Sequence, residues 1–292
     1  MRVKFKFIDS EKNNYPIKVM CEVLKVSRAG YYKYRKSKIS ARKIEDAKLK
    51  TKIEKIYNDS RKTYGVPRIL AMLSRQNISI SKRRCSRLMK ELGIEGISKK
   101  SKKPRQKTAP EKQSAPDLIK RQFSATAPNK AWFADITYIK THQGWLYLAI
   151  VFDIFSRKIV GWSMANNMKA QLVNDALKSA IARRRPEPGL IHHSDHGAQY
   201  RSILFGKTLE RSGILPSMGA ISSPWDNAVT ESLMSTIKSE CVHRQTFENR
   251  EVAKLEIFDY IERFYNPLRI HSALGNMTPN EFEAQYYEKM VV

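Results

Sequence analysis

The segment 98–116 marks the boundary between two parts of this chain. Its sequence, SKKSKKPRQKTAPEKQSAP, contains no Val, Ile, Leu, Met or aromatic residue and opposes seven Lys and Arg to one Glu. Such a segment has nothing to bury that would offset the entropy lost on ordering it. We expect a basic, flexible linker here with a folded part on each side, since 292 residues suffice for two domains of ordinary size.

The two parts differ in charge. The whole chain has 54 Lys and Arg against 28 Asp and Glu, a net charge of +26, and residues 1–116 hold 33 of the basic residues but only 10 of the acidic ones. A positive field this concentrated indicates a polyanionic partner and excludes an acidic, disordered solvating chain. We predict that residues 1–116 bind nucleic acid; an ordinary solvated surface is the other interpretation of the same composition.

Membrane and secretory classes are not indicated. The longest uninterrupted apolar run, 145–152, has eight residues, whereas a helix that crosses a bilayer needs about 20. The N-terminus also lacks the apolar stretch of a secretory signal. The cysteines Cys21, Cys85 and Cys241 lie too far apart to indicate a disulfide framework or a CxxC zinc pair. We expect a soluble, cytoplasmic protein.

The first 40 residues (1–40) are predicted to form a helix-turn-helix module. An apolar face at i, i+3, i+4 and i+7 begins at Ile17 and indicates one short helix. Ser27 is placed to cap a second helix that starts at Arg28. This second helix is basic, like one that lies in the major groove of DNA. Its predicted DNA contacts are Arg28 and Lys33; a helical hairpin with a basic exterior is the alternative.

Residues 41–97 are predicted to form a second helical DNA-binding module. We expect helices near 41–58 and around 69–73, and Ser81 is placed to cap a last helix that stops near Gly93. The apolar face of this last helix comprises Cys85, Leu88, Met89 and Leu92. The predicted DNA contacts on its remaining surface are Lys82, Arg83, Arg84 and Arg87. Because these cations cluster on one element, this module is the stronger candidate for DNA contact.

The second part of the chain, 117–292, has the pattern of an α/β domain with a helical C-terminal extension. Three β-rich runs separated by short turns suit an antiparallel meander, and shorter strands then alternate with helices. The predicted strands are 131–140, 145–152, 158–164, 190–193 and 214–217, and the predicted helices are 170–184, 200–212, 224–243 and a final one at about 249–264. We therefore predict a five-stranded mixed sheet flanked by helices.

Three carboxylates of this domain stand out by position. Asp135 interrupts the first strand, where Asp is disfavoured. Asp195 directly follows a short apolar strand, at the end where α/β proteins gather their sites. Glu231 lies about two turns into the helix predicted from 224, and 35 residues separate it from Asp195. Spacing alone is weak support, because any acid-containing chain offers many such triplets.

The chemistry of phosphoryl transfer explains why such carboxylates would converge. Displacement at phosphorus places charge on the attacking and leaving oxygens, and two divalent ions about 3.5–4 Å apart stabilise both. Mg²⁺ prefers hard oxygen ligands and retains several waters, so a few carboxylates suffice to hold it.

Other polar residues of the domain favour structural interpretations. Asp153 lies beside a strand end, where turn capping is a commoner role than metal binding. His192, His193 and His196 invite a zinc interpretation, but adjacent strand residues point to opposite faces and no cysteine is near. We therefore expect none of these four residues to bind a metal ion.

Several ordered motifs of the chain resemble the integrase-like core of bacterial insertion-sequence transposases. The nearest resemblance is to the second-reading-frame product of the insertion-sequence-three family, and it runs almost end to end. The motifs are 132–138 (WFADITY), 153–162 (DIFSRKIVGW), 193–197 (HSDHG), 223–232 (SPWDNAVTES), 265–275 (YNPLRIHSALG) and Thr278-Pro279.

This resemblance implies an RNase H-like, retroviral-integrase-like core with an Asp, Asp, Glu triad that binds two Mg²⁺, for which Mn²⁺ can substitute. By position the triad is Asp135, Asp195 and Glu231, both catalytic and metal-binding. A basic residue seven places after the Glu is also implied. Lys238 fills this position, on the same helical face as Glu231 and within reach of DNA.

The resemblance also implies a function. The chain is expected to bind the terminal inverted repeats of an insertion sequence, to cut one strand of double-stranded DNA with Mg²⁺, and to transfer that strand. The implied partners are the element ends, target DNA, further copies of the chain (at least a dimer) and an upstream reading-frame product as fusion or partner. The implied location is the nucleoid of a bacterial cell. A catalytically silent DNA-binding regulator is the alternative; an RNase H-type nuclease is disfavoured by the basic N-terminal part.

Overall fold

The described part of the chain covers both predicted folded regions. The computed structural model describes residues 1–36, 41–97, 115–119, 124–219 and 228–291. Most of the predicted linker 98–116, and the start of the helix predicted from 224, therefore lie outside the described residues. Within the described ranges, no helix is both long enough and apolar enough to cross a membrane.

The N-terminal unit consists of three short helices. They are α1 (Arg2–Glu11), α2 (Ile17–Val23) and α3 (Arg28–Lys36). Tyr31 is fully buried among them, and its hydroxyl donates to Oδ1 of Asp9 at 3.1 Å. The predicted cap of α3 is confirmed, because the Ser27 hydroxyl accepts a backbone N–H of the first turn at 3.0 Å. The sequence pattern does not predict α1, since Phe5 and Ile8 are its only buried residues.

The second helical unit confirms the predicted helices and cap. It comprises α4 (Ala41–Asp59), α5 (Val66–Arg75) and α6 (Lys82–Glu91). The Ser81 hydroxyl accepts the N–H of Arg84 at 3.2 Å, which satisfies one of the free donors at the start of α6. The predicted apolar face is the buried one, with Cys85 inaccessible to solvent. Gly93 follows in the left-handed region, at φ +67°, a conformation that glycine adopts without strain.

The C-terminal unit is built on the predicted five-stranded mixed sheet. Its strands are β1 (Ala131–Thr141), β2 (Gly144–Asp153), β3 (Ile159–Ala165), β4 (Ile191–Ser194) and β5 (Leu215–Met218). Their order is β3-β2-β1-β4-β5. The first three strands pair antiparallel, whereas β4 runs parallel to both β1 and β5. Helices α7 (Ala170–Arg184) and α8 (Ile203–Arg211) make the connections.

The sheet is buried on both faces, as the continuous apolar run in β2 predicts. One face packs with Trp132 and Val151 against α7 and α8. The other packs with Phe133 and Phe152 against the C-terminal helices. The carboxyl end of the parallel pair β1 and β4 therefore lies between two packed layers.

Gly161 allows β3 to approach α7 closely. A Cβ at this position would lie 2.6 Å from the backbone nitrogen of Ala180, closer than packed atoms tolerate. We expect Gly161→Ala to lower the free energy of unfolding by about 1–3 kcal/mol, through overpacking. Denaturant unfolding measures this. Gly206→Ala on α8 is the control, because a Cβ there has no atom within 4 Å and alanine favours helices by up to about 1 kcal/mol. Equal effects of the two substitutions would contradict the close approach.

The C-terminal extension differs from the prediction in two respects. After α9 (Ala228–Glu240), the helix predicted for 249–264 is observed as α10 (Arg250–Phe258) followed directly by a π-helical turn (Asp259–Tyr265). The prediction that this is the final helix is wrong, because α11 (Pro279–Val291) follows.

The start of α11 has a local sequence signal. The Thr278 hydroxyl accepts the N–H of Glu281 at 3.1 Å, and the Glu281 carboxylate accepts the N–H of Thr278 at 2.8 Å. This reciprocal pair is a capping box, with proline at the first helical position. The Thr-Pro-Asn-Glu sequence could therefore have predicted α11.

Candidate active site

The fold places Asp135 and Asp195 beside each other on the segments of two neighbouring inner strands, β1 and β4. Strands β1 and β4 pair in parallel, with Phe133 opposite His193. Asp135 lies two residues further along β1, and Asp195 directly follows the last residue of β4. The negative charge of Asp195 raises the pKa of Asp135, so the two carboxylates are near neighbours, although 59 residues separate them in the sequence.

Helix α9 brings Glu231 and Lys238 towards the same strand. The two residues are seven positions apart and so share a helical face. The Lys238 ammonium lies 5.0 Å from the centre of the Tyr138 ring, and Tyr138 is three residues beyond Asp135 on β1. The predicted face of α9 thus points to the strand that carries the first aspartate.

The pKa of Asp135 is affected by the charges of Asp195, Glu231 and Lys238. Burial and the negative charge of Asp195 raise the pKa of Asp135 to about 7, and Glu231 adds to the rise. The N–H of Ile136, which donates to Oδ1 of Asp135 at 2.7 Å, and the positive charge of Lys238 oppose it. Asp135 is therefore only partly ionised near neutral pH, and a cation placed beside it would favour its charged form.

Local hydrogen bonds orient the two aspartates. In Asp195, Oδ1 accepts the N–H of Gly197 at 3.0 Å. A Cβ at Gly197 would lie 3.0 Å from that same oxygen, so the turn closes tightly around the carboxylate. Among the described residues, neither Asp135 nor Asp195 uses its second carboxylate oxygen in a hydrogen bond. Each aspartate therefore offers an oxygen to a further ligand.

The donor set fits a hard divalent cation by chemistry. The side chains whose charges most affect the pKa of Asp135 are two carboxylates and one ammonium, and carboxylate oxygen is the ligand that Mg²⁺ prefers. The described residues nevertheless contain no group of three or more His, Cys, Asp or Glu side chains close enough together to hold a metal ion. The carboxylates are thus close enough to affect one another's charge, but in the described residues they do not form a complete metal-binding group.

Tyr200 is a further group in this region that the sequence does not single out. Its hydroxyl is buried and has no hydrogen-bond partner among the described residues. Burial, followed by the charges of Asp135 and Asp195, raises the pKa of its phenol well above the ordinary value. No local pattern predicts this position, because it depends on how the segment after β4 folds back beneath the carboxylates.

Asp153 has the capping role that its position predicts. It is inaccessible to solvent, and its two carboxylate oxygens accept the backbone N–H groups of Asn129, at 2.7 Å, and Phe155, at 2.9 Å. Burial raises its pKa to about 6. One oxygen serves the turn after β2 and the other the segment before β1, which supports a structural role.

The histidines near β4 have structural partners. His192 packs against the ring of Phe205, 5.2 Å between ring centres, and burial lowers its pKa to about 3. His193 lies on the opposite face of the sheet against Phe133, at 4.8 Å. The Nε2 of His196 donates to a backbone carbonyl beyond β5 at 2.6 Å. The prediction that adjacent histidines point to opposite faces is confirmed.

The six DNA contacts predicted on the helical units fall into two groups. Four of them are solvent-exposed on α3 and α6, namely Arg28, Lys33, Lys82 and Arg83. The other two, Arg84 and Arg87, form ion pairs within their own module. Each lies 2.7 Å from the Asp46 carboxylate of α4. These pairs fix α6 against α4, a role for both arginines besides the predicted contact with DNA.

Comparison with known families assigns the two main units. A family described as Integrase core domain matches residues 125–224, and a second family of the same description matches 231–287. A family described as HTH-like domain matches residues 43–102. The mixed sheet with its neighbouring carboxylates is therefore an integrase core, and a helix-turn-helix-like unit precedes it.

Two named relatives extend over almost the whole chain. The Insertion element IS600 uncharacterized 31 kDa protein of Shigella sonnei is 39% identical over 269 residues, covering 92% of this chain and 99% of the relative. Transposase InsF for insertion sequence IS3A of Escherichia coli (strain K12) is 35% identical over 283 residues, covering 96% and 98%. The chain belongs to the IS3 family of insertion-sequence transposases.

Solved integrase structures are also similar in outline. A simian T-cell lymphotropic virus intasome, in complex with the PP2A regulatory subunit B56 gamma, matches with a TM-score of 0.46 and 16% identity, covering 73% of this chain and 70% of that one. The catalytic core domain of HTLV-2 integrase in complex with magnesium (trimeric form) matches with a TM-score of 0.41 and 15% identity, covering 54% and 98%.

Proposed function

We propose that this chain is a divalent-metal-dependent DNA strand transferase that cuts one strand at each end of its element. The 3′-hydroxyl released by this cut then attacks another phosphodiester. The observation that carries the proposal is the shared environment of Asp135, in which Asp195, Glu231 and Lys238 all act on one partly buried carboxylate on the central strand of an integrase core.

Asp135, Asp195 and Glu231 are the residues that would hold the metal ions. Two Mg²⁺, or Mn²⁺ in their place, would supply Lewis-acid stabilisation of the charge that develops on the attacking and leaving oxygens. A cation bound beside Asp135 would favour its ionised form, because the cation would lower a pKa that burial has raised. The ammonium of Lys238 lies on the same helical face as Glu231 and binds a DNA phosphate next to the reacting one.

The helical units bind the DNA. The exposed cations Arg28, Lys33, Lys82 and Arg83 contact the terminal inverted repeats, together with Arg84 and Arg87 of α6. At least two copies of the chain hold the paired ends, alone or with an upstream reading-frame product. The proposed location is the bacterial cytoplasm, on the nucleoid.

The test is an end-cleavage assay on labelled double-stranded DNA that carries one terminal repeat. We expect a nicked strand and a strand-transfer product with Mg²⁺ or Mn²⁺, and binding without product with Ca²⁺. A shuffled repeat serves as the control DNA. Binding without product under every metal condition would contradict the proposal.

One observation favours a second candidate function. The described residues do not gather three carboxylates into a metal-binding group, as would be true of a catalytically silent DNA-binding regulator of transposition. The same assay separates the two candidates, because a regulator binds the repeat and suppresses the reaction of an active transposase without cutting DNA itself.

DNA affinity is expected to fall steeply with salt. If six or more phosphates are neutralised, the affinity drops by about 10³-fold between 50 and 200 mM salt. The double variant Lys82→Ala/Arg83→Ala should reduce the slope of log affinity against log salt by about 2. Lys254→Ala is the control, since Lys254 pairs with Glu251 within α10. An unchanged slope in the double variant would remove α6 from the DNA interface.

A further inference from the structure

The second helical unit and the integrase core share one hydrophobic core. A single cluster of buried side chains runs from α4 and α5 through the π-helical turn to the inner face of the sheet. Its members at the junction are Ile53, Ile56, Ile69, Leu73, Tyr260, Ile261, Phe264 and Tyr265. If the two units were joined only by the linker, the apolar faces of α4 and α5 would not contact the core. Instead they pack against the π-helical turn.

Ion pairs fasten the loop after α4 to the C-terminal helices. The Arg61 guanidinium donates to Asp259 at 2.6 Å and also to Glu256. The Arg244 guanidinium, which follows α9, donates to the backbone carbonyl of Arg61. The Arg61 side chain is 24% exposed, and those of Glu256 and Asp259 are 32% and 39% exposed, so solvent screens these pairs only in part.

A buried tyrosine at the start of α5 makes a second attachment. The Tyr64 side chain is 2% exposed. Its hydroxyl accepts the N–H of Ile270 at 2.8 Å and donates to the carbonyl of Leu268 at 3.3 Å. A single phenol thus satisfies two backbone groups of the segment that follows the π-helical turn.

The third attachment reaches the helix that carries the candidate active site. Glu240 ends α9 and binds Arg269 through two hydrogen bonds of 2.6 Å each. Arg68 of α5 also donates to Glu240, at 3.3 Å. Glu240 lies nine residues after Glu231, about 14 Å along the helix axis, so α9 links α5 directly to the candidate active site.

We propose that this junction makes the second helical unit and α9 one rigid body, which fixes the number of base pairs between the DNA sequence that α4–α6 bind and the phosphodiester that is cut. Arg61, Tyr64, Arg68 and Glu240 are its positioning residues. This inference rests on the proposed function, and it assigns the choice of cleavage position to the junction.

The linker alone would not impose such a spacing. The 19 residues of 98–116 span about 60 Å when fully extended, whereas one turn of DNA is about 34 Å long. A helical unit held only by this segment could still bind its DNA sequence after that sequence had been moved one helical turn away, because it would lie on the same face of the DNA. A helical unit held by the junction could not reach the moved sequence while the core stayed at the original cut.

Spacer substrates test the inference. Footprinting first locates the base pairs that the full chain protects, and 5 or 10 base pairs are then inserted between them and the cut. We expect cleavage of the original phosphodiester to fall by about tenfold or more with either insert, since displacement of the reacting groups prevents reaction. Residual cleavage should occur at the original distance from the protected base pairs. Cleavage of the original phosphodiester in the 10-base-pair substrate, within about twofold of the native rate, would overturn the proposal.

Variants test whether the junction sets this spacing. In Arg61→Ala/Arg68→Ala, cleavage of the 10-base-pair substrate relative to native DNA should rise by about threefold or more, since the looser unit reaches the displaced site. Tyr64→Phe removes two hydrogen bonds while keeping the packing, and serves if the double variant is poorly folded. Lys254→Ala, which removes an ion pair within α10, should leave the ratio unchanged. A wild-type ratio in folded Tyr64→Phe and in the folded double variant would show that the junction does not fix the spacing.

A distance measurement tests rigidity without turnover, and so separates this inference from the proposed function. Nitroxide labels at Lys43→Cys on α4 and Lys207→Cys on α8 report the separation of the two units, because the native cysteines are buried. We expect one narrow distance that stays the same when end DNA binds. A broad distribution would overturn the inference even if the chain cuts DNA, whereas a narrow one with no cleavage of native DNA would count only against the proposed function.

Discussion

Asp135→Asn is expected to reduce end cleavage and strand transfer by about 10³-fold or more, with DNA affinity close to that of the wild type. The substitution removes the negative charge that would bind a metal ion while preserving the shape of the side chain. The Oδ1 of asparagine can still accept the N–H of Ile136, which lies 2.7 Å from the native oxygen. End cleavage and filter binding on the same DNA measure the two effects separately.

Stability distinguishes this loss of activity from unfolding. The pKa of Asp135 is raised from 3.8 to about 7 in the folded chain, so the fold favours the neutral side chain and loses stability as the pH rises from 4 to 7. Asn is always neutral, so Asp135→Asn should be at least as stable as the wild type at pH 7. Retention of more than about a tenth of the activity would contradict a catalytic role, because single catalytic groups contribute far more.

The other carboxylates supply matched comparisons. Asp195→Asn and Glu231→Gln should show the same loss of activity with retained binding. Asp153→Asn should instead lower stability, because both oxygens of Asp153 accept backbone N–H groups and an amide offers only one acceptor oxygen. Equal loss of activity in folded Asp153→Asn would place Asp153 in the catalytic machinery.

Glu240→Ala is expected to lower the free energy of unfolding by about 3–5 kcal/mol, because it leaves a buried guanidinium unpaired. The side chains of Glu240 and Arg269 are 4% and 3% exposed, and the Tyr260 hydroxyl also donates to Glu240 at 3.0 Å. Denaturant unfolding measures the effect. Glu251→Ala is the control: its pair with Lys254 is exposed and should contribute less than about 1 kcal/mol.

The pH dependence of this effect has a defined sign. Burial alone would raise the pKa of Glu240, but the hydrogen bonds and charge of Arg269 outweigh it and hold that pKa below the ordinary 4.5. The stabilisation is therefore complete above pH 4.5 and is lost as the pH falls through the lower folded value. A wild-type chain that gains stability over this acid range relative to Glu240→Ala would contradict the ion pair.

Local patterns predict much of the fold. The turn-separated apolar runs predict β1 to β3, and the serines at 27 and 81 predict the starts of α3 and α6, because these features depend on neighbouring residues alone. Asp135 is recognisable because it interrupts a strand pattern, where an acid is unexpected, and Asp195 because it directly follows a short apolar strand. Their proximity follows from the parallel pairing of β1 with β4.

Other features depend on contacts between distant residues. The sequence pattern of 249–264 predicts a continuous α-helix, and the π-helical turn there packs Tyr260 and Phe264 against the second helical unit. The junction through Arg61 and Glu240 joins residues more than 170 positions apart, and nothing local marks them as partners. The basic composition of 1–116 predicts that its surface binds nucleic acid. It does not predict that α4 and α5 pack against the integrase core.

The central claim is that Asp135, Asp195 and Glu231 converge on a pair of metal ions when DNA is bound. A crystal structure of the chain with cut end DNA and Mn²⁺, read from the anomalous signal of manganese, tests it directly. We predict two peaks about 3.5–4 Å apart, flanked by oxygens of all three carboxylates. A DNA-bound structure in which any one of the three lies more than about 8 Å from the others, too far to share a metal pair, would contradict the account.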